Sequence, residues 1–344
     1  MIRFLDHARE LVLTLLLAVG ITTLILFLAG APPVEVLHHL FKGAFGSWVK
    51  LSHVIKAWVP LVLCSCGLLY TFRIGLWNIG IEGQVMMGAV FATFVLRMGI
   101  TFQAPIFFLV ASIGAGIAGG AFWALIAGYL KARGKIHEIF AGLGLNFVAQ
   151  AFILWLIFGP WKRAGVASMS GTEMFPRTLW LPYFPQIRLS PVELSIALVS
   201  MLITALMLRY TRFGLRLKAL GSNEQAAHMF DLNPRRYLVL AMVCAGGLAG
   251  LAGGIQVSGV YHRLIPAISS NYGYLALLVV LLANFNVWVS PAVAFFFACL
   301  NVGSIQLPMV LKLDSSLSGV IQGALVLAAL AVHAWQTHKK GRVA

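Results

Sequence analysis

Long apolar runs dominate this chain of 344 residues and decide what it can fold into. Most of them are about 20 residues long, which is the length that an α-helix needs to cross the hydrocarbon of a bilayer. Hydrophobic residues make up 60% of the chain and charged residues only 10%, whereas a soluble domain carries about 25% charged residues. The sequence therefore predicts an all-α integral membrane protein rather than a soluble fold.

The boundaries of these runs predict about ten transmembrane helices in one domain that covers residues 1–344. The first run is longer than the apolar core of a cleaved signal peptide, so we expect it to remain as the first span. Glycines four residues apart in the fourth and seventh runs predict close packing of helix backbones. We expect some helices to be broken, and the limits are least distinct between residues 262 and 290. The predicted spans lie near residues 10–30, 54–72, 78–97, 104–130, 138–159, 192–209, 237–260, 271–288, 291–311 and 317–335.

Basic residues give the chain a net charge of +15. They lie between the apolar runs rather than on one face with aromatic neighbours, so the pattern does not indicate nucleic acid as a partner. Lys and Arg favour cytoplasmic loops. Placing both termini in the cytoplasm puts fifteen of the 25 Lys and Arg residues on the inner side. The connector 160–191 is then an outer, periplasmic loop, and the connector 210–236 is a cytoplasmic loop.

The segment 78–84, with the sequence Asn-Ile-Gly-Ile-Glu-Gly-Gln, brings a carboxylate and two amides into the third predicted span. Such groups are rarely buried in lipid unless they face a bundle interior or a water-filled path. The two glycines allow backbone conformations that a regular helix excludes. We therefore expect a broken or closely packed span, which is the kind of place where transporters build binding sites.

Two roles remain open for the polar residues of this region. Glu82 can line or gate a solute path together with Asn78 and Gln84, or it can accept hydrogen bonds from backbone N–H groups that the break leaves free. Asn146 and Gln150 lie four residues apart on one face of the fifth predicted span. Their amides can bind a solute, or they can cross-link helices.

The cytoplasmic connector 210–236 contains a short predicted helix. Ser222 and Gln225 have the spacing of a capping box at its start. The pair Asn233-Pro234 suits the start of the following helix, with Asn as the cap and Pro in the first turn.

One face of this short helix is apolar, because Ala226, Met229 and Phe230 follow each other at helical spacing. An exposed apolar face of this kind needs something to cover it. Either the helix rests on the lipid interface, which the basic residues around it favour, or it docks on a partner protein.

The run from Gly75 to Gln84, Gly-Leu-Trp-Asn-Ile-Gly-Ile-Glu-Gly-Gln, resembles the signature of the nucleoside branch of ABC importer permeases. This branch is linked to basic membrane proteins and is related to the ribose and branched-chain amino-acid ABC permeases. Three further stretches resemble it in the same order along the chain. They are Lys131–Gly134 with His137–Ile139 and Leu145-Asn146, Gly214–Gly221 followed by Ala226-Ala227, and Gly273-Tyr274 with the run to Asn284.

The resemblance implies the transmembrane permease subunit of an ATP-driven importer for nucleosides in the bacterial inner or plasma membrane. The implied partners are ABC ATPase subunits, a second permease subunit that is identical or homologous, and an extracytoplasmic substrate-binding protein. The residues that would line or gate the path are Asn78, Glu82, Gln84, Asn146 and Gln150. Those that would couple to the ATPase are Gly221, Asn223, Glu224, Ala226, Ala227, Met229 and Phe230.

The chain carries no Gly-x-x-x-x-Gly-Lys-Ser/Thr sequence, so it lacks the loop that cradles the phosphates of ATP. We expect no cofactor or metal in this chain and no enzymatic activity, with ATP and Mg bound by the partner ATPase. A permease for a sugar or an amino acid is the alternative. A secondary transporter driven by an ion gradient, with Glu82 as its proton site, is a further one.

Overall fold

The computed structural model describes residues 32–102, 104–163, 165, 171–186, 188–223, 227 and 232–311, together with a few single positions near each end. It divides into two compact units, residues 58–294 and residues 1–57 with 295–344. Within the described residues every regular element is a helix, and β pairing is limited to one isolated bridge between Phe184 and Leu189. The predicted all-α membrane fold is confirmed at this level.

The helices that position the candidate site belong to the larger unit. In chain order the described helices are α1 (Pro33–Phe45), α2 (Trp48–Arg73), α3 (Ile81–Phe102), α4 (Pro105–Ala132), α5 (Glu138–Phe158), α6 (Pro191–Tyr210), α7 (Arg212–Ser222), α8 (Pro234–Ile255), α9 (Tyr272–Leu282), α10 (Ser290–Ser304) and α11 (Leu307–Leu311). A π-helical turn, Gln256–Tyr261, extends α8, and a 3-10 turn, Arg177–Leu179, lies before α6.

Six of these helices are long and apolar enough to cross a membrane: α2 to α6, and α8 with its π-helical extension. They correspond to the second to seventh predicted spans, so these six predictions are confirmed. The first and tenth predicted spans, near 10–30 and 317–335, lie almost wholly outside the described residues.

The eighth predicted span, near 271–288, is not a complete span. Its helix, α9, has only 11 residues, which makes it about 16 Å long at 1.5 Å per residue. That length is about half of what the hydrocarbon requires. Left-handed backbone at Asn271 and Asn284 bounds the helix, with φ values of 59° and 50°. The ninth predicted span is also interrupted, because α10 ends at Ser304 and α11 begins at Leu307.

The helix α1 lies where the sequence predicted only a connector between the first two spans. Pro33 opens it, which suits the fixed φ of proline. Its inner face carries Val36, Leu40, Gly43 and Ala44, all buried. Within the smaller unit, Gly43 meets the backbone of Gly303 in α10.

Close contact between helix backbones builds the core of the larger unit. A Cβ atom on Gly120 of α4 would overlap the backbone of Gly246 and Gly250 in α8. Another on Gly88 of α3 would overlap the backbone of Gly250. The predicted packing of helices through glycines is thus present, and it fixes α3, α4 and α8 against one another without side chains between them.

The connector 171–189 packs against the chain that follows α8. The Thr172 and Phe175 N–H groups donate to the Leu264 and His262 carbonyls, each at 2.8 Å. The His262 ring stacks on Trp180 with the ring centres 3.7 Å apart. This connector therefore holds the non-helical segment that leads to α9.

Candidate functional site

The segment 78–84 begins in a connector and ends in the first turn of α3. The helix α2 stops at Arg73, and Gly75 turns the chain with a φ of 82°. Residues 76–78 are not helical, and α3 starts at Ile81. The polar residues of the segment therefore surround a helix start inside the bundle, where backbone N–H groups lack helical partners.

Asn78 and Gln84 bind each other through both ends of their amides. Asn78 Nδ2 donates to Gln84 Oε1 at 3.1 Å, and Gln84 Nε2 donates to Asn78 Oδ1 at 3.0 Å. Both side chains are only 1% exposed. The pair satisfies the amides inside the fold and locks the connector onto the first turn of α3, so neither side chain is presented to a solute in this geometry.

The carboxylate of Glu82 lies at the start of α9. Its Oε2 accepts a hydrogen bond from the Gly273 N–H at 2.8 Å. Ser269, Asn271 and Tyr274 also lie near this carboxylate. Asn271, at the cap position of α9, gives the helix no side-chain hydrogen bond.

Glu82 thus supplies from another helix the cap that α9 lacks. The amide ends of a helix attract negative charge, and a carboxylate there is stabilised by both the free N–H groups and the helix dipole. Glu82 is 2% exposed, so the Gly273 N–H replaces part of the water that the carboxylate loses on burial. Two roles were considered for Glu82, and the second was to accept hydrogen bonds from free backbone N–H groups. The structure shows one such donor, the Gly273 N–H, which belongs to α9 rather than to the span of Glu82.

Gly273 permits this contact. A Cβ atom there would come within 2.6 Å of Glu82 Oε2 and 2.8 Å of the Glu82 backbone nitrogen. Any side chain at this position would push α9 away from α3. The close approach therefore explains a glycine in the first turn of a helix, where it is otherwise unfavourable.

Asn146 joins three parts of the site. Its Oδ1 accepts from the Gly83 N–H at 2.8 Å, and its Nδ2 donates to the Ile79 carbonyl and to the Tyr274 hydroxyl, both at 3.0 Å. The side chain is 5% exposed. Asn146 therefore cross-links α5 to the 78–84 segment and to α9.

Gln150, one turn further along α5, holds the segment before α9. Its Nε2 donates to the Pro266 carbonyl at 3.1 Å, and the side chain is half-buried. The five polar residues predicted for a path or gate thus lie around the start of α3 and the start of α9. Their role in a path or gate stays a prediction.

Sequence reasoning missed Tyr274, Gly273 and Ser269 as members of this site. The pair Gly273-Tyr274 stood out in the sequence by resemblance, but nothing there placed it beside Glu82, which lies 191 residues from Gly273. Tyr274 is 36% exposed, unlike the buried residues that hold it.

The predicted coupling residues are only partly within the described chain. Glu224, Ala226, Met229 and Phe230 lie outside the described residues, as does Gln225. Of the other three, Gly221 lies in the last turn of α7 and packs on the Arg73 carbonyl. Asn223 is exposed and Ala227 is 4% exposed. The Ala227 methyl is thus covered by this chain itself.

The capping box predicted at Ser222 and Gln225 stays a prediction, because Gln225 lies outside the described residues. Ser222 ends α7, and its hydroxyl donates back to the Lys218 carbonyl at 2.9 Å. The Asn223 carbonyl accepts from the Ala227 N–H at 3.0 Å. By contrast, the predicted start at Asn233-Pro234 is confirmed, because Asn233 Oδ1 accepts from the Arg236 N–H at 3.3 Å.

Six long apolar helices, together with a buried polar cluster at the start of a half-length helix, are typical of a polytopic membrane transport protein. Residues 51–330 match the permease family described as "Branched-chain amino acid transport system / permease component". The match covers most of the chain, and the chain belongs to this family. It is a permease subunit of an ABC transporter, a transport protein rather than an enzyme.

Characterised relatives are similar over nearly the full length. The glucose ABC transporter permease protein TsgB13 of Haloferax volcanii is 27% identical, over 96% of this chain and 89% of its own. The guanosine permease protein NupP of Bacillus subtilis is 26% identical, over 95% and 94%. The nucleoside permease protein NupB of Lactococcus lactis is 26% identical, over 82% and 79%. In general, membership of an ABC permease family implies ATPase and substrate-binding protein partners.

Proposed function

We propose that this chain is the permease subunit of an ATP-driven importer for nucleosides. The observation that carries the proposal is the similarity to a guanosine permease over 95% of this chain, joined by a second relative named for nucleosides. The chain would form the translocation path with a second permease subunit, identical or homologous. A binding protein would deliver the solute at the outer side, where the connector 160–191 lies in the proposed topology.

The proposed topology has ten membrane segments, with α9 and α10 as short ones, and both termini in the cytoplasm. Six long apolar helices support it. The bacterial inner or plasma membrane is the proposed location. No cofactor is proposed for this chain, since ATP and Mg would bind to the partner ATPase.

The residues 221–230 are proposed as the contact with the ATPase. The helix α7 ends at Ser222, and the Asn223 carbonyl accepts from the Ala227 N–H. The next described helix starts at Pro234, so the proposed contact lies between α7 and α8. Since Ala227 is buried, its proposed part is to hold this segment against the permease, while neighbouring side chains meet the ATPase.

Glucose is the second candidate solute, because TsgB13, a relative of similar identity and coverage, is named for glucose. Reconstitution of the permease with its ATPase and binding protein in proteoliposomes separates the two. The proposal expects ATP-dependent uptake of guanosine and no uptake of glucose. Uptake of glucose without guanosine would replace the nucleoside proposal, and uptake that follows a proton gradient without ATP would overturn the ABC importer itself.

A matched pair of charge reversals tests the ATPase contact. Glu224→Arg should lower the amount of ATPase that co-purifies with the permease, because it changes a residue of the proposed contact. Glu173→Arg is the control, since Glu173 is exposed in the connector 160–191. Equal retention of the ATPase by both variants would contradict the proposed contact.

A further inference from the structure

The hydrogen bonds of Asn146 fix the direction in which its amide points. A backbone N–H can only donate, and a backbone carbonyl can only accept. The Gly83 N–H lies 2.8 Å from one end of the amide, and the Ile79 carbonyl lies 3.0 Å from the other. The first end must therefore be the oxygen and the second the NH₂ group.

This orientation determines what the Tyr274 hydroxyl does. The hydroxyl oxygen lies 3.0 Å from the same NH₂ group, so it must accept a hydrogen bond there. A phenolic hydroxyl has one proton to donate as well. Within the described part of the chain, Asn146 is its one hydrogen-bond partner, and the proton is thus directed away from Asn146.

Tyr274 is held at two points by consecutive residues of the 78–84 segment. Glu82 accepts from the N–H of Gly273, the residue before Tyr274, and Gly83 orients the Tyr274 hydroxyl through Asn146. Backbone and side chain are both fixed before any solute arrives. Such fixing of a polar group lowers the cost of binding, because fewer rotations are lost.

The depth of Tyr274 limits what its exposed part can face. Asn146 lies eight residues from the start of α5 at Glu138, which places it about 12 Å into the helix. Tyr274, bonded to it, lies at a similar depth and is 36% exposed. If the Tyr274 hydroxyl pointed toward hydrocarbon at that depth, its proton would have no acceptor, which costs several kcal/mol. A water-filled path avoids this cost.

We propose that Tyr274 is the solute-contacting residue of this permease and that its hydroxyl donates a hydrogen bond to an acceptor on the solute. Resting on the proposed function, the acceptor is a carbonyl or ring nitrogen of the base, or an oxygen of the sugar. Glu82, Gly83 and Asn146 are positioning residues that act through Tyr274. In this proposal the 78–84 segment positions Tyr274 and does not itself line the solute path.

The first test compares Tyr274→Phe with Tyr129→Phe in the complete importer. Tyr129 is 58% exposed in the last turn of α4 and makes none of the hydrogen bonds of this site, so it serves as the control. Uptake into proteoliposomes is measured with the loaded binding protein at saturation, so that capture of the solute does not limit the rate. Tyr274→Phe should lower guanosine uptake about tenfold, as expected for one lost hydrogen bond, and Tyr129→Phe should leave it unchanged.

The second test uses guanosine analogues that each lack one acceptor, such as 7-deazaguanosine and 2′-deoxyguanosine. If Tyr274 contacts the solute, the wild type should take up one analogue more slowly than guanosine. The Tyr274→Phe variant should take up that analogue no more slowly than the wild type does. A role confined to structure predicts that the substitution slows every analogue by the same factor, which would overturn the proposal. The proposal would also be overturned if the guanosine uptake rate of the Tyr274→Phe importer were within twofold of the wild-type rate.

The same experiment separates this proposal from the proposed function. If the wild type carries glucose and not guanosine, the nucleoside proposal fails, and the Tyr274 comparison is read on glucose and its deoxy analogues. If the wild type carries neither, both fail. A Tyr274→Phe variant that loses its second permease subunit would place Tyr274 in the subunit interface and overturn the solute contact.

Discussion

Among the described helices of the larger unit, α8 and α9 have an asparagine at the cap position, and the two starts are built in different ways. At α8, Asn233 has an extended backbone and its side chain accepts from the Arg236 N–H at 3.3 Å. At α9, Asn271 has a left-handed backbone, with a φ of 59°, and its side chain caps nothing. The Gly273 N–H in the first turn of α9 bonds instead to Glu82 of α3.

The difference lies in where each helix starts. Asn233 is exposed, so water can replace its cap, and the helix needs only its own sequence to begin there. The first turn of α9 is buried against α3, where Tyr272 is 7% exposed and Glu82 2%. Water cannot serve the Gly273 N–H there, so α9 depends on a residue that is distant in sequence. The cap of α9 is therefore also a tertiary contact that sets the position of the helix.

The largest effect is expected for Glu82→Ala. It leaves the buried Gly273 N–H of α9 without an acceptor, and such an unpaired donor costs about 1–3 kcal/mol. We expect a loss of about 2–3 kcal/mol in the free energy of unfolding, measured by chemical denaturation in detergent micelles. Glu82→Gln keeps an acceptor oxygen and should lose less. Equal stability of Glu82→Ala and wild type would contradict the remote cap.

Gly273→Ala attacks the same contact from the other side. The new methyl would lie 2.6 Å from Glu82 Oε2, and overpacking of this kind costs about 1–3 kcal/mol. The control is Gly114→Ala in α4, where a Cβ has nothing within 4 Å. That control should be neutral or slightly stabilising, because Ala favours a helix. Melting temperatures of the two variants in the same detergent provide the comparison, and an unchanged value for Gly273→Ala would argue against close packing.

The Asn78–Gln84 pair should show a coupling of about 1–2 kcal/mol in a double-mutant cycle. Asn78→Ala leaves the buried Gln84 amide without its partner, and Gln84→Ala leaves the buried Asn78 amide without its partner. The double variant removes both amides. The double variant should therefore lose less stability than the two single losses added together. Additive losses would show that the two amides do not bind each other.

Asn233→Ala should have the smallest effect, about 1 kcal/mol. The Asn233 cap is exposed, so water can replace part of the hydrogen bonding that the side chain provides. The free energy of unfolding measured beside that of Glu82→Ala makes the comparison direct. A loss for Asn233→Ala as large as that for Glu82→Ala would remove the distinction between the local and the remote cap.

Local sequence signals were enough for the parts of the fold that depend on local structure. Six spans follow from apolar runs, and the start of α8 follows from Asn233-Pro234, because both depend on residues within one helix. The polar character of the 78–84 segment also predicted a special place in the bundle. The partners in that place could not be derived, since Glu82 and Gly273 meet only after α3 and α9 have packed.

The short length of α9 could not be predicted from the sequence either. Residues 271–288 are apolar enough to suggest a complete span, and the stop comes from left-handed backbone at Asn284 and Phe285. Nor could the sequence tell that Asn78 and Gln84 satisfy each other. Polar residues in an apolar chain indicate a functional site. Which of them contact a solute and which only position other residues can be told from their hydrogen bonds and exposure in the structure, and not from the sequence.

Hydrogen exchange at the start of α9 tests most directly whether Glu82 caps this helix. Exchange is followed by mass spectrometry on peptides that cover residues 269–282, with residues 232–240 as the reference, in wild type, Glu82→Ala and Asn233→Ala. We predict that Glu82→Ala accelerates exchange at residues 273–282 and leaves the start of α8 unchanged, and that Asn233→Ala affects the start of α8 alone. Unaltered protection at residues 273–282 in Glu82→Ala would contradict the account.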